Sequence, residues 1–175
     1  MYKMSLTPLF TAEAIQEMVQ LLGEKIARNY KFDMIVGVLS GSFVFVSDLC
    51  RHFPNKDIEV SFIRASSYGN STESSGKLSV ALLDKLDLKG KKVLLIDDIL
   101  DTGRTLQQLV NLLQEKGAAE VRSCVLLEKR VRREVDYKAD FGGFSIEDGF
   151  VVGYGLDYAE KYRTMPDIWT LEPET

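Results

Sequence analysis

The chain has 175 residues, of which 45% are hydrophobic and 27% charged, and its net charge is −4 with a sequence pI near 5.2. This length predicts one domain with a sizeable core, and the absence of any apolar run of about eighteen residues excludes a membrane span. The acidic balance argues against a nucleic-acid surface, and the single histidine and two cysteines exclude most zinc sites and catalytic triads.

Two features of the chain indicate its compartment. The first residues, MYKMSLTPLF, lack the apolar core of a secretion signal. Cys50 and Cys124 each lie inside an apolar pattern, which is typical of reduced core thiols. We therefore expect a cytoplasmic protein with small-molecule partners, and neither a nucleic acid nor a membrane as a partner.

Hydrophobic periodicity predicts helix and strand in alternation near the start. Thr11 to Asn29 carries apolar residues at helical spacing, with Thr11 as the N-cap. Met34 to Leu39 is a short apolar run that suits a buried strand, and Phe43 to His52 is an apolar helix. The turn between them, Ser40-Gly41-Ser42, offers a phosphate site at a helix start.

A polar segment from Ser66 to Gly76 separates two predicted strands. Alternation of Ile58, Val60 and Phe62 predicts the first strand, and Leu78 to Leu83 predicts the second. A segment of this composition cannot bury enough apolar surface to stay ordered by itself. Two interpretations stay open, a flexible hairpin connection or a lid that closes over reacting atoms.

The stretch from Val93 to Thr105, VLLIDDILDTGRT, is the most informative part of the chain. Val93 to Ile96 suits a strand buried on both faces of a parallel sheet. The residues that follow are acidic, polar or small: Asp97, Asp98, Asp101, Thr102 and Gly103. A helical pattern then begins at Arg104. Strand, polar loop and helix is the order in which open α/β sheets build phosphate sites.

The chemistry of this loop predicts a phosphorylated sugar as ligand. Backbone N–H groups at a helix start lack intrahelical partners and carry partial positive charge, so residues 101–105 can hold a phosphate. Gly103 permits a positive φ or a close backbone approach. The three carboxylates repel phosphate, and they suit sugar hydroxyls, Mg²⁺ or a proton to be removed.

Other interpretations of the three acids are weaker. Asp97 and Asp98 could be strand-end solvation and Asp101 an N-cap. The spacing also matches the DDxxD motif of isoprenoid prenyltransferases, which hold Mg²⁺ and pyrophosphate. That motif lies inside a long helix, whereas Val93 to Ile96 is strand-like and Gly103 would interrupt a helix.

The second half continues the alternation of helix and strand. The helix from Arg104 is expected to stop at Gly117, and Val121 to Leu127 predicts the next strand. Lys129 follows that strand at the same predicted sheet edge as Asp97. Its basic neighbours are interpreted as a solvated face: Arg130, Arg132 and Arg133.

At these residues the chain resembles a known family. IDDILDTGRT is similar to the phosphoribosyl-pyrophosphate signature of type I phosphoribosyltransferases, and FVVGYGLDY (residues 150–158) followed by Arg163 is very like their hypoxanthine-guanine branch. Matching segments extend from about Met34 to Arg163. The resemblance implies an α/β fold with a mostly parallel central sheet flanked by helices. It also implies a single domain, 1–175, with a small hood formed mainly by residues 1–10 and 140–175.

The resemblance implies roles for individual residues. The phosphoribosyl group would be bound by Asp97, Asp98, Asp101, Thr102, Gly103, Arg104 and Thr105. The purine would be bound by Lys129, Phe150, Val151 and Asp157, with Lys129 donating to the 6-oxo group and Phe150 stacking. Pyrophosphate would meet Ser40, Gly41 and Arg163, and Mg²⁺ would be held by Asp97, Asp98 and Asp157. Asp101 would be the catalytic residue that accepts the purine N7 proton.

Two loops of the family have counterparts here. The residue before the glycine of the pyrophosphate turn is often Lys or Arg in this family, so Ser40 leaves one positive contact missing. The family often holds the peptide bond that matches Leu39-Ser40 in the cis form. Its mobile loop carries a Ser-Tyr pair, which Ser67 and Tyr68 match, and this supports the lid interpretation.

We therefore predict a purine-salvage enzyme. It would transfer the 5-phosphoribosyl group from phosphoribosyl pyrophosphate to N9 of hypoxanthine or guanine with Mg²⁺, giving IMP or GMP and pyrophosphate. We expect a homo-oligomer, a dimer or a tetramer. Two alternatives stay open. An enzyme for another base is opposed only by the stretch from Lys129 to Asp157, and a phosphoribosyl-pyrophosphate-sensing regulator that binds nucleic acid should show a basic face.

Overall fold

The computed structural model describes residues 4–67 and 78–173, and for Ser67 only the backbone. Within these ranges helices and strands alternate along the chain. They are β1 (Met4–Phe10), α1 (Ala12–Asn29), β2 (Met34–Leu39), α2 (Phe43–Cys50), β3 (Glu59–Ser67), β4 (Leu78–Ala81), β5 (Lys92–Leu100), α3 (Arg104–Glu115), β6 (Glu120–Lys129), β7 (Phe141–Ile146), β8 (Val151–Val152) and β9 (Ile168–Pro173). No helix in these ranges is both long and apolar enough to cross a membrane.

The larger sheet has the strand order β4-β3-β2-β5-β6-β7. β4 pairs antiparallel with β3, and every other neighbouring pair is parallel. The continuous apolar runs of β2 and β5 occupy the centre, where both faces of a strand are covered. The predicted α/β architecture with a mostly parallel sheet is confirmed.

Helices cover both faces of this sheet. Ile35, Leu94 and Ile96 pack in one core cluster with the buried stripe of α1 and with α2. Val36 and Leu95 point the other way, into a second cluster with the apolar side of α3. Side chains two apart along a strand share a face, so one apolar run serves both cores. The result is a three-layer domain.

The two ends of the chain meet in a second, smaller sheet. Its strand order is β1-β9-β8, and both pairings are antiparallel. The ring of Phe10 stacks on Phe144 of β7 at 3.9 Å between centroids. Asp167 Oδ1 accepts a hydrogen bond from the backbone N–H of Ala12 at the start of α1. This small sheet is built from the ranges in which the hood was expected.

Several element boundaries differ from the sequence-based expectation. β5 continues four residues beyond Ile96, because its acidic end still pairs with β6 as far as Leu100. The strand expected over Leu78 to Leu83 ends at Ala81, since Leu82 has a positive φ of 71°. α2 ends at Cys50 rather than His52.

Further differences lie outside the central motif. The composition of FVVGYGLDY (residues 150–158) also predicts a strand, but only β8 forms there, because Gly153, Tyr154 and Gly155 all adopt positive φ. β1, β7 and β9 were not predicted. Both cysteines are free thiols; Cys124 is buried as expected, whereas Cys50 on α2 is only half-buried.

Candidate active site

Two strand-to-helix turns lie side by side at the carboxyl edge of the central sheet. One follows β2 and leads into α2, and the other follows β5 and leads into α3. The Leu39–Ser40 peptide bond in the first turn is cis, as the family resemblance implied. The first turn is in close contact with the end of β5, because a Cβ added at Gly41 would overlap the carboxylate of Asp98. This edge is where open α/β sheets bind ligands.

The turn after β5 forms a cleft of about 210 Å³ that suits a phosphate. Its lining includes Asp97, Asp98, Ile99, Leu100, Asp101, Thr102, Gly103, Thr105 and Leu106. Gly103 is the N-cap of α3 with φ +87°, and it has no side chain to bond the first helical N–H groups. An added Cβ there would lie 3.0 Å from Cγ2 of Val135. The helix start therefore presents its N–H groups to the cleft.

The Arg104 side chain does not line this cleft. Its Nε pairs with the carboxylate of Glu134, and the side chain is 60% exposed. The backbone N–H of Arg104 instead bonds Oγ1 of Thr102 at 3.3 Å. Arg104 is therefore absent from the lining of the cleft, and its contact with the phosphoribosyl group stays a prediction.

A second cleft of about 190 Å³ opens beside the first. Six predicted site residues line it, together with Ile99 and Leu156: Asp98, Asp101, Lys129, Phe150, Val151 and Asp157. Phe150 is 49% exposed and meets Tyr158 edge-on at 5.7 Å, which leaves ring surface available for stacking. Ile99 and Leu156 were missed, although both stand inside the two motifs that located the site.

A larger cavity of about 580 Å³ lies at the opposite edge of the sheet, near Tyr30, Phe53 and Lys92. None of the predicted site residues lines it. Cavity volume is therefore a poor guide to the candidate active site in this protein, and the cluster of ionisable groups is a better one.

Lys129 is the most buried charged residue of the second cleft, with 6% exposure. Its Nζ lies 3.8 Å from Oδ2 of Asp101 and 3.8 Å from Oδ1 of Asp148. A buried ammonium needs such carboxylate partners, since an uncompensated charge is strongly destabilising. Asp148 was not predicted, because nothing in its local sequence marks it as a partner of Lys129.

Asp101 has an unusual environment for a carboxylate. Its Oδ1 is buried and accepts no hydrogen bond from any residue within 4–67 and 78–173. Nε of Arg132 lies 3.7 Å from that oxygen, beyond hydrogen-bonding distance. The interpretation of Arg132 as part of a solvated face missed this contact. An acceptor without a donor is poised to take a proton or a ligand N–H.

Asp97 and Asp98 are adjacent carboxylates at the end of β5. Burial raises the pKa of Asp97 well above its usual range, and the charge of Asp98 raises it further. Burial also raises the pKa of Asp98. A cation bound between the two carboxylates would relieve both effects.

Mg²⁺ fits these two carboxylates. No group of three or more metal-ligating side chains occurs in the described ranges. Asp157, expected as a third ligand, lies 3.2 Å from Nη1 of Arg163. Mg²⁺ commonly takes only one or two protein carboxylates and completes its shell with water and substrate oxygens. Asp97 and Asp98 satisfy that requirement.

Arg163 is bonded within the loop that faces the Ser40-Gly41-Ser42 turn across the site. Its Nη1 donates to the backbone oxygen of Gly155 at 2.8 Å, and its Nη2 pairs with Glu160 at 2.9 Å. A Cβ added at Gly155 would stand 2.5 Å from the backbone oxygen of Gly41. Arg163 therefore lies one backbone contact away from the turn expected to hold pyrophosphate.

Comparison with known proteins agrees with this geometry. A family model described as the phosphoribosyl transferase domain matches residues 9–159. A hypoxanthine-guanine phosphoribosyltransferase of Bacillus subtilis is 42% identical over 167 residues, which cover 94% of this chain and 92% of that protein. The chain belongs to the phosphoribosyltransferase family, in its hypoxanthine-guanine branch.

Other relatives extend the similarity to nearly the whole length of this phosphoribosyltransferase. The hypoxanthine-guanine phosphoribosyltransferase of Dictyostelium discoideum is 40% identical and covers 98% of both chains. A crystal structure of the Bacillus anthracis enzyme has a TM-score of 0.86 and 40% identity, covering 97% of this chain and 99% of that one. A Trypanosoma cruzi structure, concerned with the role of the C-terminal region in oligomeric state and activity, has a TM-score of 0.87, 35% identity, and coverage of 98% and 94%.

The expected lid of this phosphoribosyltransferase falls mainly beyond the described ranges. Tyr68 lies outside them, together with most of the segment from Ser66 to Gly76. Ser67 ends β3, and only its backbone is described. The lid therefore stays a prediction.

Proposed function

We propose that this protein transfers the 5-phosphoribosyl group of phosphoribosyl pyrophosphate to N9 of hypoxanthine or guanine, giving IMP or GMP and pyrophosphate. The observation that carries the proposal is the buried ammonium of Lys129 in one cleft with Asp101 and Phe150. A donor without acceptor capacity suits a 6-oxo purine, and the aromatic ring suits its flat face.

The purine would be bound and activated by a few groups of the second cleft. Phe150 stacks on the ring, Val151 offers backbone groups to the pyrimidine edge, and Lys129 donates to the 6-oxo oxygen. As the N9 lone pair bonds to C1′, the bond from C1′ to the pyrophosphate oxygen breaks. The N7 proton passes to Asp101, whose Oδ1 has no other donor among the described residues.

The phosphoribosyl group would lie in the first cleft. The main chain of residues 101–105 binds the 5′-phosphate, and Asp97 and Asp98 bind the ribose hydroxyls. Asp97 and Asp98 would hold Mg²⁺, which would supply positive charge to the leaving pyrophosphate. Ser40, Gly41 and Arg163 would contact that pyrophosphate. The transition state is oxocarbenium-like, so the site must also exclude water, which is the role proposed for Ser67 and Tyr68.

The setting of the reaction follows the same proposal. Residues 1–175 would act as one domain, with the β1-β9-β8 sheet as the hood over the ligand edge. The two free thiols support a cytoplasmic location. We propose a homo-oligomer, in line with the concern for oligomeric state in the Trypanosoma cruzi enzyme. No nucleic-acid partner is proposed.

Pyrophosphate release tests this function directly. Incubation with phosphoribosyl pyrophosphate, Mg²⁺ and either hypoxanthine or guanine should release pyrophosphate together with IMP or GMP. A chelator should abolish release, because unneutralised pyrophosphate is a poor leaving group beside these carboxylates. No nucleotide product with either purine would refute the function, and full activity in chelator would refute the metal assignment.

A further inference from the structure

Arg64 of β3 lies beside the turn that follows β2. Its Nη2 is 3.3 Å from Oγ of Ser40, to which it donates a hydrogen bond. The parallel register places Arg64 opposite Leu39, the last residue of β2. Phe62 is two residues earlier on the same face of β3, and its ring fills the space above Gly37, against α2. Arg64 is therefore on the side of the sheet where the turn enters α2.

Four other cations at this edge are already paired with carboxylates, whereas Arg133 contacts the backbone oxygen of Lys129. The pairs are Lys129 with Asp101 and Asp148, Arg163 with Asp157 and Glu160, Arg132 with Asp101, and Arg104 with Glu134. Within residues 4–67 and 78–173, Arg64 forms no ion pair with a carboxylate, and its side chain is exposed. Its charge is available to an anionic ligand.

We propose that Arg64 is a pyrophosphate-binding residue, and that it supplies the positive charge that Ser40 does not bring to the turn. This inference rests on the proposed function. The Ser40 hydroxyl accepts from Arg64, so its own hydrogen can be donated to a phosphate oxygen. The guanidinium is a planar fork of donors suited to phosphate. Arg64 and Ser40 thus act as a pair, in which the neighbouring strand provides the cation.

Substitution of Arg64 should affect one substrate group selectively. Arg64→Gln keeps a polar side chain and removes the charge. We expect KM for pyrophosphate, measured in the reverse reaction with IMP, to rise about tenfold, and KM for phosphoribosyl pyrophosphate to rise similarly. KM for hypoxanthine should stay within about twofold, because the purine cleft does not include Arg64. Arg64→Lys keeps the positive charge and loses the planar fork, so it should raise KM for pyrophosphate less than Arg64→Gln does.

Two further variants separate binding from structure. Arg51→Gln is the matched control, since Arg51 is a 72% exposed arginine beyond the far end of α2 and should leave all constants unchanged. Ser40→Lys in the Arg64→Gln background returns a cation to the same place. We expect it to recover most of the lost affinity for pyrophosphate.

The outcomes are distinct. If Arg64→Gln behaves like Arg51→Gln, Arg64 does not bind pyrophosphate. If it raises KM for hypoxanthine and pyrophosphate equally, or if Ser40→Lys gives no recovery, its role is structural and the inference fails. Absence of activity in the unsubstituted protein would instead refute the proposed function.

Discussion

The two carboxylate oxygens of Asp101 lie in different environments. One oxygen lies 3.8 Å from the buried ammonium of Lys129, whereas the other is buried and accepts no hydrogen bond from the described residues. Leaving an acceptor unpaired is unfavourable, and such groups persist mainly where a ligand completes them. The proposed N7 proton would complete this one.

Asp101→Asn preserves the shape of the side chain and removes its ability to accept a proton. Turnover should fall by about 10²-fold or more, while KM for the purine changes little. Steady-state kinetics with hypoxanthine provide the measurement. Turnover within a few-fold of the parent would show that Asp101 is not the base.

Asp97→Asn should make the protein more stable at neutral pH. The pKa of Asp97 is raised in the folded state. Its contribution to the free energy of unfolding is therefore fully present below the pKa of the unfolded chain, near 3.9, and is lost as the pH rises through the pKa of the folded state. At neutral pH the buried, mutually repelling carboxylates therefore destabilise the fold. The amide removes that repulsion and keeps the oxygen that accepts from the N–H of Asp98.

The expected gain is about 1 kcal/mol in the free energy of unfolding at pH 7, and it should shrink towards pH ~4. Denaturant titrations over this range measure it, with the exposed Asp57→Asn as control. Activity should be lost together with the gain in stability. A destabilised Asp97→Asn protein at pH 7 would contradict the account of this pair.

At the level of elements, the site depends on the junction between β5 and α3. Asp97 and Asp98 lie in the part of β5 that is still paired with β6, so the sheet holds their backbone in place. The chain then turns into α3 through Gly103, and the carbonyl of Thr102 accepts from the N–H of Glu134. A rigid strand followed by a braced turn fixes the phosphate cleft in advance of binding.

Gly103→Ala tests this junction. The position has φ +87°, and a Cβ would lie 3.0 Å from Val135 and 3.2 Å from Arg133. We expect a loss of about 2 kcal/mol in the free energy of unfolding and a higher KM for phosphoribosyl pyrophosphate. The matched control is Gly90→Ala, which has φ +71° and no atom within 4 Å of the added Cβ.

Comparison of the two glycine variants isolates packing from backbone conformation. Gly90→Ala should lose only the part of the unfolding free energy that comes from the strained backbone conformation. It should leave KM for phosphoribosyl pyrophosphate unchanged. If the two variants lose equal stability and neither changes KM, the close packing around Gly103 has no role in phosphate binding.

At the level of the whole molecule, the central layers and most of the site could be predicted from local sequence. VLLIDDILDTGRT holds strand, acids and helix start in one contiguous stretch, so its chemistry needs no long-range information. Lys129 could be placed near Asp101 because parallel strands end at one edge. β1 has mixed exposure without clear alternation, and β7 contains two glycines, so neither carries a strong strand signal.

Contacts between distant segments could not be predicted. Arg64 meets Ser40 through strand register, and Asp148 meets Lys129 across a loop. Arg132 resembles any solvated arginine until the fold places it beside Asp101. In each case the sequence carries the residue type, and only the tertiary structure carries the distance.

Discrimination between hypoxanthine and adenine is the sharpest test of the proposed purine site. Lys129 donates and cannot accept, so it pairs with a 6-oxo group, whereas the 6-amino group of adenine would leave two donors facing each other. A site built for one hydrogen-bonding group rejects the other by about 10⁴-fold or more in kcat/KM.

The measurement is kcat/KM for hypoxanthine and for adenine with saturating phosphoribosyl pyrophosphate and Mg²⁺, in the parent protein and in Lys129→Ala. We expect adenine to be essentially inert with the parent. We also expect Lys129→Ala to reduce the ratio of kcat/KM for hypoxanthine to that for adenine, chiefly by lowering kcat/KM for hypoxanthine. Comparable use of adenine and hypoxanthine by the parent would contradict the role of Lys129 and the proposed substrate class.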